Sequence, residues 1–305
     1  MLDTDYEGFL ARKVIVAPPA GFEPKRLPSA MKPFQRDITT WACRRGRAAI
    51  FAGTGLGKTI MELAWALQIV RHTKGKVLLF SPLAVAEQTV QEAAKFGIKG
   101  VSYAADQGAI KDWITVTNYD RRDKFDLSEF AGIILDESGI IKNQDGKTRM
   151  ELTDACRDTP YLLCGSATPA PNDWTELGQH AEFLGVMSAK EMLAMFFVHD
   201  GAVRADVNGE EWRLKGHAQE DFWRWVASWS VMIRHPRDLG YEEPGYDLPP
   251  LTMHQVTVQV ENTHANGMLF PTEASTLKER IGARRDTIAE RVRAAAKIVA
   301  SKPDE

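Results

Sequence analysis

Glycines at 53, 55 and 57 precede Lys58 and Thr59 in the segment Phe51-Ala-Gly-Thr-Gly-Leu-Gly-Lys-Thr59. At that spacing, backbone N–H groups can converge on phosphate oxygens with no Cβ in the way. A lysine here reaches β- and γ-phosphates, and the threonine hydroxyl is a hard oxygen donor for Mg²⁺. The strict pattern has glycine where Ala52 stands, a mild departure. A second chemical signal is Asp136-Glu137, placed directly after the apolar run Ala131-Gly-Ile-Ile-Leu135. An aspartate there can hold Mg²⁺ directly or through water. The adjacent Glu137 can polarise a water for attack on a γ-phosphate. These residues point to ATP with Mg²⁺. Gly53, Thr54, Gly55, Leu56, Gly57, Lys58 and Thr59 would hold the nucleotide. Thr59 and Asp136 would hold the metal, and Glu137 and Lys58 would act in catalysis. Gln35 lies one short helix upstream of the glycine turn. Its amide donates and accepts at once, which matches the N6 and N7 edge of adenine.

Several elements must position these groups. Ala48 to Phe51 reads as a strand, and Ile60 to Leu67 has apolar residues at helical spacing. Strand, glycine turn and helix is the context a phosphate loop needs. Phe34 to Arg45 reads as a helix capped by Gly46, and Ala84 to Phe96 as another closed by Gly97. Lys76–Phe80, Ile114–Thr117, Ala131–Leu135 and Tyr161–Cys164 read as further strands, apolar rather than alternating. Such runs belong to a parallel sheet covered on both faces. Strands alternating with helices make an α/β, doubly wound sheet, whose ligands sit at the carboxyl ends of its strands. Around Gly185 the character changes. Met187 to Val198 is rich in Met and Phe, Asp206 to Arg213 reads as a hairpin about Asn208-Gly209, and Asp221 to Trp229 as an aromatic helix. The simplest role for those aromatics is the core of a subdomain. Val14–Val16 and Thr252–Val260 read as strands, and Leu277–Val299 as a charged amphipathic helix.

The chain has 305 residues and a formal net charge of −3, so any nucleic-acid binding needs a local basic surface. Cys43, Cys156 and Cys164 show no metal spacing and no even-numbered disulfide framework. No secretory signal pattern and no membrane-length apolar run is visible, so the cytoplasm is the expected location.

Taken in order, Phe34-Gln35, Ala52–Thr59, Ser81-Pro82-Leu83, Thr117-Asn118-Tyr119, Asp136-Glu-Ser-Gly139 and Gly165-Ser-Ala-Thr-Pro169 resemble the motif series of the superfamily 2 helicases. The chain is similar to the Swi/Snf-like branch, in particular its short bacteriophage and bacterial members. Leu177–Leu184 and Met232–Gly240 resemble the end of the first lobe in that branch. The resemblance covers roughly residues 30 to 250. It implies a RecA-like P-loop NTPase sheet sandwiched by helices, with a mainly helical protruding insertion. It divides the chain into a preface (1–25), an ATP-binding lobe (26–185), the insertion (186–245) and a linker with a helix (246–305). It implies adenine reading by Gln35, coupling by Ser166 and Thr168, and backbone contacts around Ser81, Pro82, Thr117 and Asn118. Lys215, Arg234 and Arg237 are candidate duplex contacts. The partner implied is nucleic acid, DNA before RNA. A second RecA-like lobe and its arginine-bearing motif are not seen, so the chain is expected to be a first-lobe fragment of low activity. The leading expectation is an ATP-dependent DNA helicase or translocase. Alternatives are a nucleotide-gated nucleic-acid-binding module without motor activity and an unrelated phosphate-loop kinase.

Overall fold

The computed structural model describes residues 17–142, 146–199 and 212–247, together with 253, 255–258, 282 and 284–301. The strands expected at 14–16 and the Asn208-Gly209 turn lie outside the described residues. So does most of the strand expected at 252–260. The chain divides into two compact units, 1–247 and 248–305.

In the first unit, α1 (Pro33–Arg45) leads into β1 (Arg47–Ala52) and α2 (Lys58–Thr73). Gly46 ends α1 with φ 77°, as its sequence position requires. Next come β2 (Lys76–Ser81), α3 (Ala86–Lys95), β3 (Val101–Tyr103), β4 (Ile114–Asn118) and β5 (Phe130–Asp136). Then follow α4 (Lys147–Ala155), β6 (Tyr161–Ser166), α5 (Leu177–Phe183) and α6 (Ala189–Phe196). A small antiparallel pair, β7 (Phe197–His199) and β8 (Trp212–Leu214), precedes α7 (Gln219–Trp229) and β9 (Ser230–Ile233). Seven strands form one sheet in the order β3-β4-β2-β5-β6-β1-β9. Every pairing in it is parallel.

Alternate side chains of each strand enter different cores. Ala49 and Phe51 of β1, with Leu78, Ile133 and Leu162, face one core, closed by α4 to α7. Ala48 and Ile50, with Val77, Ile134 and Leu163, face the other, closed by α1 to α3. This explains the continuous apolar runs, since both faces of each strand are buried. The aromatic helix α7 is core, as expected: Phe222, Trp225 and Trp229 are buried.

One element departs from the sequence reading. Residues 231–234 were grouped with the insertion, but β9 lies beside β1 at the edge of the main sheet. The insertion therefore leaves the sheet after β6 and returns to it. Four residues, two of them partly exposed, give too weak a pattern to reveal that. In the second unit the described helix is α8 (Ile288–Ala300), within the expected span.

Candidate nucleotide site

The glycine turn is built by the ends of two neighbouring strands. β1 stops at Ala52, and the Gly53 N–H donates to the Ile233 carbonyl of β9 at 2.9 Å. The chain then reverses, with Leu56 N–H donating to Gly53 O at 3.3 Å. Gly55 and Gly57 have φ of 85° and 80°, in the left-handed region that glycine alone enters freely. Gly57 is the N-cap of α2, and no side chain caps that helix. Its first-turn amides thus remain available to an anion, at the positive end of the helix dipole. The Lys58 ammonium donates to Ala52 O at 3.1 Å, folded back across the turn it would fill with phosphate.

The acidic pair ends β5, two strands from β1 in the sheet. Ser81 at the end of β2 donates its hydroxyl to Asp136 Oδ2 at 3.0 Å. Tyr119 donates to the Asp136 carbonyl at 2.7 Å. Burial raises the Asp136 pKa, and the Ser81 hydrogen bond partly offsets it. Glu137 follows with φ 54° and ψ 53°, a left-handed conformation costly for a residue with a Cβ. A cavity of about 460 Å³ is lined by Gly55, Gly57, Lys58, Thr59, Asp136 and Glu137, with α3 closing its far side. The phosphate turn and the acidic pair thus share one pocket.

Residues 32–177 match the DEAD/DEAH box helicase family. The matched segment is just under half of the chain and is similar to that helicase family. The ATP-dependent DNA helicase RecG of Helicobacter pylori (strain ATCC 700392 / 26695) is 31% identical over 157 residues, which are 47% of this chain and 24% of RecG. The chain thus spans about a quarter of that relative's length. Among solved structures, the Sulfolobus solfataricus SWI2/SNF2 ATPase core in complex with dsDNA superposes with TM-score 0.56 at 20% identity. The match covers 70% of this chain and 46% of the Sulfolobus chain. The Sulfolobus core domain alone gives TM-score 0.55 at 19% identity. These likenesses show the RecA-like fold.

The other residues singled out from the sequence fall into place unevenly. Gln35 is buried, with both ends of its amide engaged. Its Nε2 donates to Leu56 O at 2.9 Å, and its Oε1 accepts from Lys32 N at 2.9 Å. Here it braces the glycine turn from behind. A Cβ on Gly57 would stand 2.4 Å from that Nε2, a second reason for glycine there. Ser81 is turned to Asp136, not outward. Thr117 and Asn118 are buried, and Asn118 Nδ2 donates to Tyr103 OH at 3.2 Å. Ser166 is buried and accepts from Thr168 N at 3.1 Å, leaving Thr168 exposed. Pro82 lines the cavity rim, beside exposed Leu83. The Lys215 ammonium donates to the carbonyls of Ala194 and Met195, closing α6, and Arg237 pairs with Asp247. Arg234 is exposed.

Three residues have contacts that the sequence does not reveal. Tyr119 stands in the Thr117-Asn118-Tyr119 motif, but its bond to the Asp136 carbonyl comes only with the fold. Glu62 lies on the buried face of α2 among apolar residues, and its helical spacing was the one available signal. Its Oε1 has no hydrogen-bond partner. Burial, with Asp136 nearby, raises its pKa well above the usual carboxylate value. His180 is fully buried on α5 against Ser138.

Proposed function

We propose that this lobe binds ATP with Mg²⁺ and hydrolyses it as part of a nucleic-acid translocase or helicase of the Swi/Snf-like branch. The observation that carries the reading is the single pocket shared by the uncapped glycine turn and the acidic pair. In this reading, the first-turn amides of α2 and Lys58 take the β- and γ-phosphates. The donor set around the pocket, a hydroxyl and a buried carboxylate, suits a hard divalent cation. Thr59 and Asp136 would hold it. The cation neutralises charge on the phosphate oxygens when bound. Glu137 takes the proton of the attacking water, and Ser81 and Tyr119 keep the adjacent Asp136 in place. Gln35 supports the turn in the present geometry, and adenine reading would require its amide to release Lys32 N. Half-buried Pro82 and exposed Leu83 and Thr168 stand at the carboxyl ends of the strands, where the backbone of a DNA strand would pass. Backbone contact reads no sequence.

The test is nucleotide hydrolysis by the chain with single-stranded, duplex and branched DNA and RNA. A motor's turnover rises with one of these polymers. Binding of nucleotide with no response to any polymer would favour the gated binding module. Lys58→Ala should abolish binding of a fluorescent ATP analogue with the circular dichroism unchanged, because Lys58 bonds only within its own loop. Glu137→Gln should retain the analogue and lower turnover by roughly 10² or more, the usual scale for a general base. Full turnover in that variant would remove Glu137 from the role.

A further inference from the structure

Glu137 and Lys74 are the only non-glycine residues with positive φ among those described. That conformation is strained for a residue with a Cβ. The flanking residues must therefore be fastened for the carboxylate to keep facing the phosphate turn. On the upstream side, Ser81 and Tyr119 fasten Asp136. On the downstream side, the fastening comes from a distant helix. Ser138 lies 3.1 Å from His180 Nε2, and both residues are fully buried. His180 Nδ1 lies 3.4 Å from the Glu176 carbonyl, one turn earlier in the same region. A carbonyl only accepts, so a proton on Nδ1 would be donated to it. Burial holds the His180 pKa down to about 4, so the ring is neutral at ordinary pH. Nε2 is the ring nitrogen that meets Ser138, whose hydroxyl also faces the Cys164 thiol. The edge of Phe51 in β1 packs the ring from the side, at 5.2 Å between centroids. The ring is thus held by Ser138, the Glu176 carbonyl and Phe51.

We infer that His180 is a positioning residue for hydrolysis: through the Ser138 hydroxyl it holds Glu137 in its left-handed conformation, facing the phosphate turn. This rests on the proposed ATPase reading. It also joins the acidic turn to α5, the first helix after Ser166–Thr168. Nucleotide binding does not depend on it, because Lys58, Thr59 and the α2 amides lie on the other wall of the pocket. The contact acts on the chemical step and leaves affinity alone.

The test uses the 305-residue chain with His180→Leu, His180→Gln and Ser138→Ala. The glutamine places an amide near the position of Nε2 and can still accept from Ser138. His180→Leu and Ser138→Ala are expected to lower kcat about tenfold or more, with KM and analogue affinity within about twofold. His180→Gln recovers most of kcat. The double variant is no worse than either single change, since both break one contact. Amide hydrogen exchange provides a readout that needs no activity. Residues 137–142 should exchange about tenfold faster in His180→Leu, with the β1 and β6 amides unchanged. Unaltered kcat in folded His180→Leu, equal losses in kcat and affinity, or a glutamine variant no better than leucine would overturn the inference. Should His180→Leu fail to fold, Ser138→Ala decides alone, on the same criteria. An unmodified chain that neither binds nor hydrolyses ATP overturns the proposed function and the catalytic part of this inference. Unchanged exchange at 137–142 in that chain's variants overturns the structural part.

Discussion

His180 is neutral in the folded chain down to about pH 4, whereas an unfolded histidine takes up a proton near pH 6.5. Between those values the unfolded chain binds the extra proton and the folded chain does not. Stability from this residue is therefore complete above about pH 6.5 and falls as the pH drops towards 4. The loss by pH 5 is about 2 kcal/mol. Buried Asp136 and Glu62 act with the opposite sign. Their folded pKa values are raised, so acidification through that range favours the folded chain. Urea unfolding of the parent and His180→Gln at pH 7 and pH 5 separates the two. The parent should lose about 2 kcal/mol more than the variant over that interval. Equal pH dependence would mean that His180 is not the buried neutral group described. None of this was legible in the sequence. A histidine inside Leu177–Leu184 carries no spacing signal, and Ser138 reads only as one letter of the acidic box. That Lys58, Thr59, Asp136 and Glu137 line one cavity could be expected from the sequence, because each pair is contiguous in the chain and ends or follows a strand. Partners brought together by folding leave no such trace.

At the scale of elements, α2 and β6 meet through one steric fit. A Cβ on Gly165 would stand 1.9 Å from Glu62 Oε1, so the strand must be bare where the helix carboxyl lies against it. Gly165→Ala should destabilise the chain by about 1–3 kcal/mol, the range for overpacking a core. Adding Glu62→Ala should restore much of that, as the obstructing carboxyl is removed. Denaturation midpoints of the two single variants and the double variant give the coupling directly; additive effects would contradict the fit. Five strands were legible because each was an apolar run bounded by turn residues. β3 and β9 were not. β3 is three half-buried residues, and β9 carries an exposed methionine, so neither shows the double-sided burial of a central strand. The hydrogen bonds that define them come from β4, which pairs Val101 with Ile114, and from β1, which pairs Ala49 with Ser230. The fold class survives these omissions because the central strands and their crossover helices determine it.

Across the whole molecule, charge sets the expectation for rate. Among the described residues lining the pocket, Lys58 is the one cation. Phosphoryl transfer gains about 10³–10⁵ from an arginine supplied by another element or partner. Turnover by this chain alone should thus be slow, and should rise steeply when a second RecA-like lobe is fused after it. Single-turnover hydrolysis by the two proteins measures the difference. Fast turnover without the second lobe would show that the pocket is catalytically sufficient.

The Gly53 amide is fastened to Ile233, so one anchor of the phosphate turn comes from a strand 180 residues further on. On the ribosome, the nascent chain would expose the glycine turn long before β9 emerges. Under the proposed reading, ATP capture by a growing chain should therefore improve once β9 has emerged.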